Sequence, residues 1–346
     1  MPPQEQRQPP SIVDALIVGG GPAGLTCAFI LTRNLHTVIV FDHGLHPDRV
    51  TRPPWDGDYL SQFRFPTKLS LVDSYNTLFL INETIKKAAK NGDGIFEISG
   101  SSERHWKGRS LVLAGGVVDV PVEIPGFEAC RGHSIYQCLP FEGYEQRGNE
   151  SSGVLALQGA ATILQILQLA RNAAQLTKSV TIYTNGNASF TAQIKEAIGL
   201  ESPFTVDDRR FLGFERSPEE EKGRIKISFL DGSNKWEAFL TYKRKIMPAS
   251  RPLMEQLGLR ITPENDVEVK YPYGETSLSG CFAAGDNSSP VKTIANAVGA
   301  GFNCAIGVSD YVQCKKFGHK YIGSGKFKQV EKEKEKSTWS GELAFR

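Results

Sequence analysis

The stretch Ala15-Leu16-Ile17-Val18-Gly19-Gly20-Gly21-Pro22-Ala23-Gly24-Leu25 constrains this chain more than any other. Its apolar start reads as a strand buried on both faces, and its glycines turn that strand into a helix opening at Pro22. Gly19, Gly21 and Gly24 stand at the GxGxxG spacing. The first allows a tight turn, the second lets backbone approach a pyrophosphate, and the third lets helix and strand pack closely. Free N–H groups and the dipole at the helix start then favour a negative group. Glycine-rich turns also occur without ligands, so the sequence that follows matters. Thr37-Val38-Ile39-Val40-Phe41 reads as a second strand ending in Asp42, where an acid meets adenosine ribose hydroxyls. Together these stretches predict a dinucleotide-binding βαβ unit, with Pro22 and Ala23 in its phosphate loop.

The 346 residues allow two domains and a large core. A net charge of +2 with 23% charged residues argues against nucleic-acid binding, which concentrates basic residues in a stripe. Glu331-Lys332-Glu333-Lys334-Glu335-Lys336 alternates in sign and reads as solvated. Residues 1–10 are polar and proline-rich, unlike a signal peptide, and residues 315–346 read as a second flexible tail. No apolar run approaches the roughly 20 residues that span a bilayer. These features lead us to expect a cytoplasmic protein with no membrane partner. Cys27, Cys130, Cys138, Cys281, Cys304 and Cys314 form no CxxC pair and no cluster with His, so neither a disulfide framework nor a metal site is expected.

Along the chain, residues 45–65 read as a loop across the ligand, with Trp55 and Tyr59 as candidate walls. Residues 71–89 predict a helix and connector, and residues 94–98 and 111–116 predict strands. The second of these ends in Ala114-Gly115-Gly116, which suits backbone passing close to a ligand or simply a tight turn. Prolines 121 and 125 mark a boundary. A second βαβ pattern follows: strand 153–157, helix 160–176 and strand 179–183. Its loop, Gln158-Gly159-Ala160-Ala161, keeps one glycine of three. Thr184-Asn185-Gly186-Asn187 after the second strand supplies neither an Arg for a 2′-phosphate nor an acid for a ribose. Residues 225–240 predict a hairpin about Asp231-Gly232. Gly280-Cys281-Phe282-Ala283-Ala284-Gly285-Asp286 reads as a last strand, and residues 291–312 as a helix rich in small residues.

The glycine loop, the Ala114-Gly115 strand end, the broken second unit and the Ala284-Gly285-Asp286 strand resemble the thioredoxin-reductase-like FAD proteins. Arg251-Pro252-Leu253-Met254-Glu255-Gln256-Leu257-Gly258-Leu259 and Glu275-Thr276-Ser277 are similar to the fungal gliotoxin-type dithiol oxidases within that family. The resemblance implies an α/β protein of two Rossmann-like, three-layer nucleotide-binding domains. A discontinuous FAD domain (residues 11–119 and 247–312) would be split by a degenerate NAD(P)-type domain (residues 120–246). It implies that Gly19, Gly21 and Gly24 hold the FAD pyrophosphate, Asp42 the adenosine ribose and Asp286 the ribityl chain, with Gly285 also among the cofactor-binding residues. Lys292, Thr293 and Ile294 would bring a helix N-terminus to the flavin pyrimidine edge. A homodimer, a small-molecule substrate and a fungal secondary-metabolite setting are implied as well.

One departure stands out. Where the family carries CxxC, this chain reads Cys138-Leu139-Pro140-Phe141, followed by Glu142. Without the second Cys, a disulfide relay cannot run as in the family. One reading makes Phe141 an apolar wall and Glu142 a desolvated base for direct oxidation of substrate, with O2 as acceptor. Glu142 also reads as a plain solvated loop residue. A second reading keeps thiol chemistry, through Cys138 with Cys130 or with a substrate thiol pair. A third is a non-catalytic FAD-binding protein.

Overall fold

The computed structural model describes residues 8–44, 74–157, 159–217, 224–321 and 323. The loop read at residues 45–65, with Trp55 and Tyr59, lies outside the described residues, as does Gln158. The chain divides into two compact units. Among the described residues, unit 1 holds those up to Gly44, from 74 to Val117 and from Pro248 onward, and unit 2 holds those from Val118 to Met247.

Unit 1 begins with β1 (Val13–Val18), α1 (Pro22–Arg33), β2 (Val38–Phe41), β3 (Leu78–Ile81), β4 (Ile85–Lys90), β5 (Phe96–Gly100) and β6 (His105–Leu113). The chain leaves along β7 (Val117–Asp119). In unit 2 follow α2 (Phe127–Cys130), β8 (Ile135–Tyr136), α3 (Leu139–Glu142), β9 (Asn149–Leu155), α4 (Ile163–Ala174), β10 (Thr177–Tyr183) and α5 (Ala188–Ile198). Then come β11 (Phe204–Asp207), β12 (Phe211–Arg216), β13 (Ile225–Phe229), β14 (Asn234–Glu237) and β15 (Leu240–Tyr242). After β16 (Ile246–Pro248), unit 1 is completed by α6 (Arg251–Gln256), β17 (Cys281–Ala283) and α7 (Ile294–Lys316).

The unit 1 sheet runs β3-β2-β1-β6-β5-β4, with β17 alongside β6. Parallel pairing joins β3, β2, β1, β6 and β17, and antiparallel pairing joins β4, β5 and β6. Alternation along each strand sorts its side chains into two cores. Ala15, Ile17, Val38, Val40 and Val112 meet residues of α1 and α7 on one face. Leu16, Ile39, Phe41, Leu111 and Leu113 meet Leu253 and Met254 of α6 on the other. The helices lie close because side chains are missing at the contact: a Cβ at Gly301 would run into the Ala23 backbone. The small residues of α7 therefore serve packing against α1, and the helix continues to Lys316, four residues beyond the stretch read from sequence.

Unit 2 has a wholly parallel sheet, β11-β10-β9-β15-β8. Ile166, Ala170 and Ala173 of α4 and Ile194 of α5 cover one face. The meander β12-β13-β14 covers the other with Phe211, Phe214, Ile227 and Phe229. Both units are thus three-layered α/β folds with Rossmann-like parallel strands.

Of the helix and connector expected within residues 71–89, Ser74 is helical and residues 71–73 lie outside the described residues; the part read as connector forms the strands β3 and β4. Pairing decides this. Leu78 to Ile81 ladder onto β2, while the Ala88 N–H donates to Gln256 Oε1 at 2.9 Å. Neither partner is visible in the local run of Lys and Ala, and tertiary pairing overrides local preference. The hairpin about Asp231-Gly232 forms as read, with Gly232 in the left-handed region at φ 83°.

An ionic network ties β1 to the start of β2 and to α7. Asp14 Oδ2 accepts from the Thr37 N–H at 2.9 Å and lies 3.6 Å from His36 Nδ1, while Oδ1 accepts from Arg109 at 3.3 Å. His36 Nε2 is 2.8 Å from Ser309 Oγ. Burial works to raise the Asp14 carboxyl, but bonds from His36 and Thr37 outweigh it and hold it down to about 2. A depressed folded value gives stability that is present above the unfolded value of 3.8 and lost as pH falls through about 2. Asp14→Asn should lower the melting temperature at neutral pH by a few degrees and flatten its fall in this acid window. Thermal melts followed by circular dichroism check this, and an unchanged acid profile would contradict it.

Candidate functional site

In unit 1 the ladder register brings three loops to one sheet edge, since Val18 pairs with Phe41 on one side and Leu113 on the other. Gly19, Asp42 and Ala114 each come next in sequence. The Gly19 N–H donates to Phe41 O at 2.9 Å, and the Ala114 N–H to Val18 O at 2.8 Å. Gly19 has φ 118°, and a Cβ there would run into the Ala114 carbonyl. A Cβ at Gly24 would run into the Gly19 carbonyl, so α1 meets the turn backbone to backbone. The Asp42 carboxylate hangs over the loop, with Oδ2 only 2.5 Å from where a Gly20 side chain would begin.

The N-terminus of α1 carries Gly21 at the N-cap, Pro22 in its first turn and no side-chain cap. Its first backbone donors are therefore left for an anion. A turn that tolerates no side chain, an uncapped helix start and a carboxylate above them fit a dinucleotide.

The β17 end completes this edge. The Ala284 N–H donates to Leu113 O at 3.1 Å. Gly285, at φ 87°, sits where a Cβ would come 3.0 Å from that of Ala23, so Asp286 follows directly beside the start of α1. Gly115 packs on Ser250, whose Oγ would lie 2.7 Å from an added Cβ. Thr293 caps α7, its Oγ1 accepting from the Asn296 N–H at 3.2 Å, and Ile294 is the first helical residue. The Lys292 ammonium turns inward, donating to Asp266 Oδ1 at 2.8 Å, Asp286 O at 2.6 Å and Ser289 O at 2.7 Å.

In unit 2, Cys138 is the N-cap of the single-turn helix α3, which Pro140 pre-shapes. Glu142 reaches back over that turn: its Oε2 accepts from the Gln137 N–H at 3.0 Å and the Cys138 N–H at 2.9 Å. Among the described residues its Oε1 accepts no hydrogen bond. Burial raises the Glu142 carboxyl above the usual range, against the lowering pull of those two amides. Burial also raises the Cys138 thiol, so it is a poor thiolate at neutral pH. Phe141 is 38% exposed. Tyr136 braces this region, its hydroxyl donating to His133 O at 2.5 Å and accepting from Gln146 at 3.1 Å. Cys130 is a free thiol buried in the core with Phe127 and Ile135.

The second glycine turn differs from the first. Thr162 Oγ1 accepts from the Gln165 N–H at 3.3 Å, and Gln165 Oε1 accepts from the Thr162 N–H at 3.0 Å. This capping box occupies donors that a pyrophosphate would need at α4. After β10, Asn185 Oδ1 takes the Phe211 N–H at 2.8 Å, and Asn187 caps α5. Two cations absent from the local motifs lie at this edge. The Arg210 side chain crosses Gly186, with Cγ 2.5 Å from an added Cβ, and Lys245 Nζ is 4.0 Å from the Cβ position of Gly159. Their distance along the chain hid both.

Among the described residues no group of three or more metal-ligating side chains comes together, and no helix is long and apolar enough to cross a membrane.

Residues 17–53 match the model of an NAD(P)-binding Rossmann-like domain. The chain is 37% identical to a thioredoxin reductase, tcpT, of Claviceps purpurea, over 84% of this chain and 91% of that one. It is 34% identical to thioredoxin reductase aclD of Aspergillus oryzae, over 86% and 95%. A solved thioredoxin reductase from Bacillus anthracis superposes with a TM-score of 0.71 at 20% identity, covering 88% of this chain and all of that one, and so shares the fold. With likeness this extended, and with a sheet edge shaped for a dinucleotide, the chain belongs to the thioredoxin-reductase-like family of FAD-dependent oxidoreductases.

Proposed function

We propose that this protein is an FAD-dependent oxidase that removes two electrons and two protons from a small secondary metabolite without a CxxC relay. The observation that carries the reading is the contrast between the two glycine turns. The α1 start is uncapped beneath Asp42, whereas the α4 start is closed by Thr162 and Gln165. The first supports FAD, and the second argues against a resident nicotinamide nucleotide. Bound FAD supplies the two-electron acceptor, and O2 takes those electrons onward to give H2O2. In unit 1, Gly19, Gly21, Pro22, Ala23 and Gly24 hold the pyrophosphate and Asp42 the ribose. Ala114, Gly115, Gly285 and Asp286 shape the edge along which the flavin half lies, and Thr293 and Ile294 present a helix start to it.

In unit 2, Glu142 is the base. Two amides fix one carboxylate oxygen and leave the other to take the substrate proton, and its raised pKa matches that task. Phe141 gives the substrate an apolar wall, and Cys138 shapes the turn as a neutral thiol. Six free cysteines support a reducing compartment, the cytoplasm. The family resemblance supports a homodimer. Arg210 and Lys245 favour a second reading, in which a nicotinamide nucleotide binds unit 2 and reduces the flavin.

An anaerobic titration of the yellow protein with NADPH and NADH, followed by dithionite and then air, tests this. Only dithionite should bleach the flavin, and air should restore it with peroxide. Rapid bleaching by NADPH would contradict the oxidase reading. Among dithiols, alcohols and amines screened for oxygen uptake, the active class should show turnover that falls as pH drops through the raised Glu142 value. Glu142→Gln should keep its FAD, lose about 10²-fold in turnover and lose that acid limb. Loss of turnover in Cys138→Ser would instead assign the reaction to the thiol.

A further inference from the structure

The turn between β17 and α7 is held from inside by an ion pair. Lys292 Nζ has three hydrogens, and each meets an acceptor: Asp286 O, Ser289 O and Asp266 Oδ1. The pair is secluded, with the Lys292 side chain 16% and the Asp266 side chain 8% exposed. Asp266 comes from a separate segment that is itself anchored to the turn. The Val267 N–H donates to Asn287 O at 2.9 Å, and the Thr262 N–H to Asp266 O at 2.8 Å. Asn287 is fully buried, and its Nδ2 donates to Leu113 O at 2.9 Å, at the end of β6. Strand end, turn and the Asp266 segment therefore form one hydrogen-bonded block directly before α7.

We propose that Asp266 is a positioning residue for the flavin: paired with Lys292, it forms a charge-balanced brace that sets the α7 N-terminus and the charge at the flavin pyrimidine edge. This rests on the reading of unit 1 as the FAD site. Lys292 then acts through the turn it braces. A cation within a few ångströms of a developing anion favours that anion, and a lone carboxylate opposes it. While paired, Asp266 and Lys292 largely cancel, leaving the helix N-terminus as the local field. Removing either partner uncovers the charge of the other in a secluded place, where screening is weak. The two single variants must therefore shift the flavin in opposite senses, a signature that mere loosening of the turn does not produce.

The experiment compares the two-electron flavin potential of wild type, Asp266→Asn, Lys292→Met and the double variant, each saturated with added FAD and titrated anaerobically against a reference dye. Asp266→Asn should raise the potential and Lys292→Met lower it. Each shift is on the order of tenfold in the reduction equilibrium, about 30 mV for a two-electron couple, and the double variant should return toward wild type. Lys292→Arg keeps the charge and should stay near wild type. Shifts of one sign in both single variants, or potentials unchanged while melting temperatures fall, would make the pair purely structural and overturn the proposal. A wild-type protein that takes up no FAD would instead overturn the reading of unit 1.

Discussion

The closeness of backbone to backbone at the crest of the first sheet governs everything built on it. Helix α1 can start where it does only because Gly24 presents no side chain to the Gly19 carbonyl, and Gly19 none to Ala114. The same economy repeats one layer out, where α7 rests on Ala23 through Gly301. Two helices are thereby brought with their N-termini toward the strand ends, and the first carries no side-chain cap. Polar backbone without internal partners is costly to bury dry, so such an edge is suited to a phosphate.

The second unit shows what the same topology becomes when that constraint is relaxed. Its strands are parallel and its helix follows the first strand, yet Thr162 and Gln165 satisfy each other at the helix start. Local hydrogen bonding there takes up donors that the first helix start leaves free. Nearby in the same unit, Glu142 uses one oxygen to close the α3 turn, which preserves its orientation without consuming its basicity. Burial raises both Glu142 and Cys138, and the two consequences diverge. A carboxylate becomes a better base and a thiol a worse nucleophile. On the proposed reading of this turn as catalytic, its electrostatics suit proton transfer better than disulfide exchange, in keeping with Phe141 where a relay sulfur would be needed.

Much of this was legible in the sequence because it is local. The β1 turn, its glycines, Asp42 at the end of β2 and the β17 end all declare themselves within a few residues. The strands from Leu78 to Lys90 were not legible because they are made by partners far along the chain, β2 for Leu78 and Gln256 for Ala88. Arg210 escaped notice for the same reason, since it reaches Gly186 from β12's approach and not from the loop after β10. Asp266 is the extreme case. Nothing around it marks a functional residue, and the role proposed for it rests wholly on the Lys292 ammonium that the fold delivers to it. The Thr162-to-Gln165 capping box, by contrast, was written in the sequence as a Thr-x-x-Gln spacing and could have been read there.

The central claim is that one glycine turn of this chain is open to a dinucleotide and the other is closed by its own side chains. A crystal structure of the FAD-loaded protein soaked in excess NADPH tests it most directly. The account predicts pyrophosphate density on the Gly19-to-Gly24 turn, with the Thr162 and Gln165 bonds intact and no nucleotide at α4. Nucleotide phosphate at Gly159 with the capping box broken would contradict it.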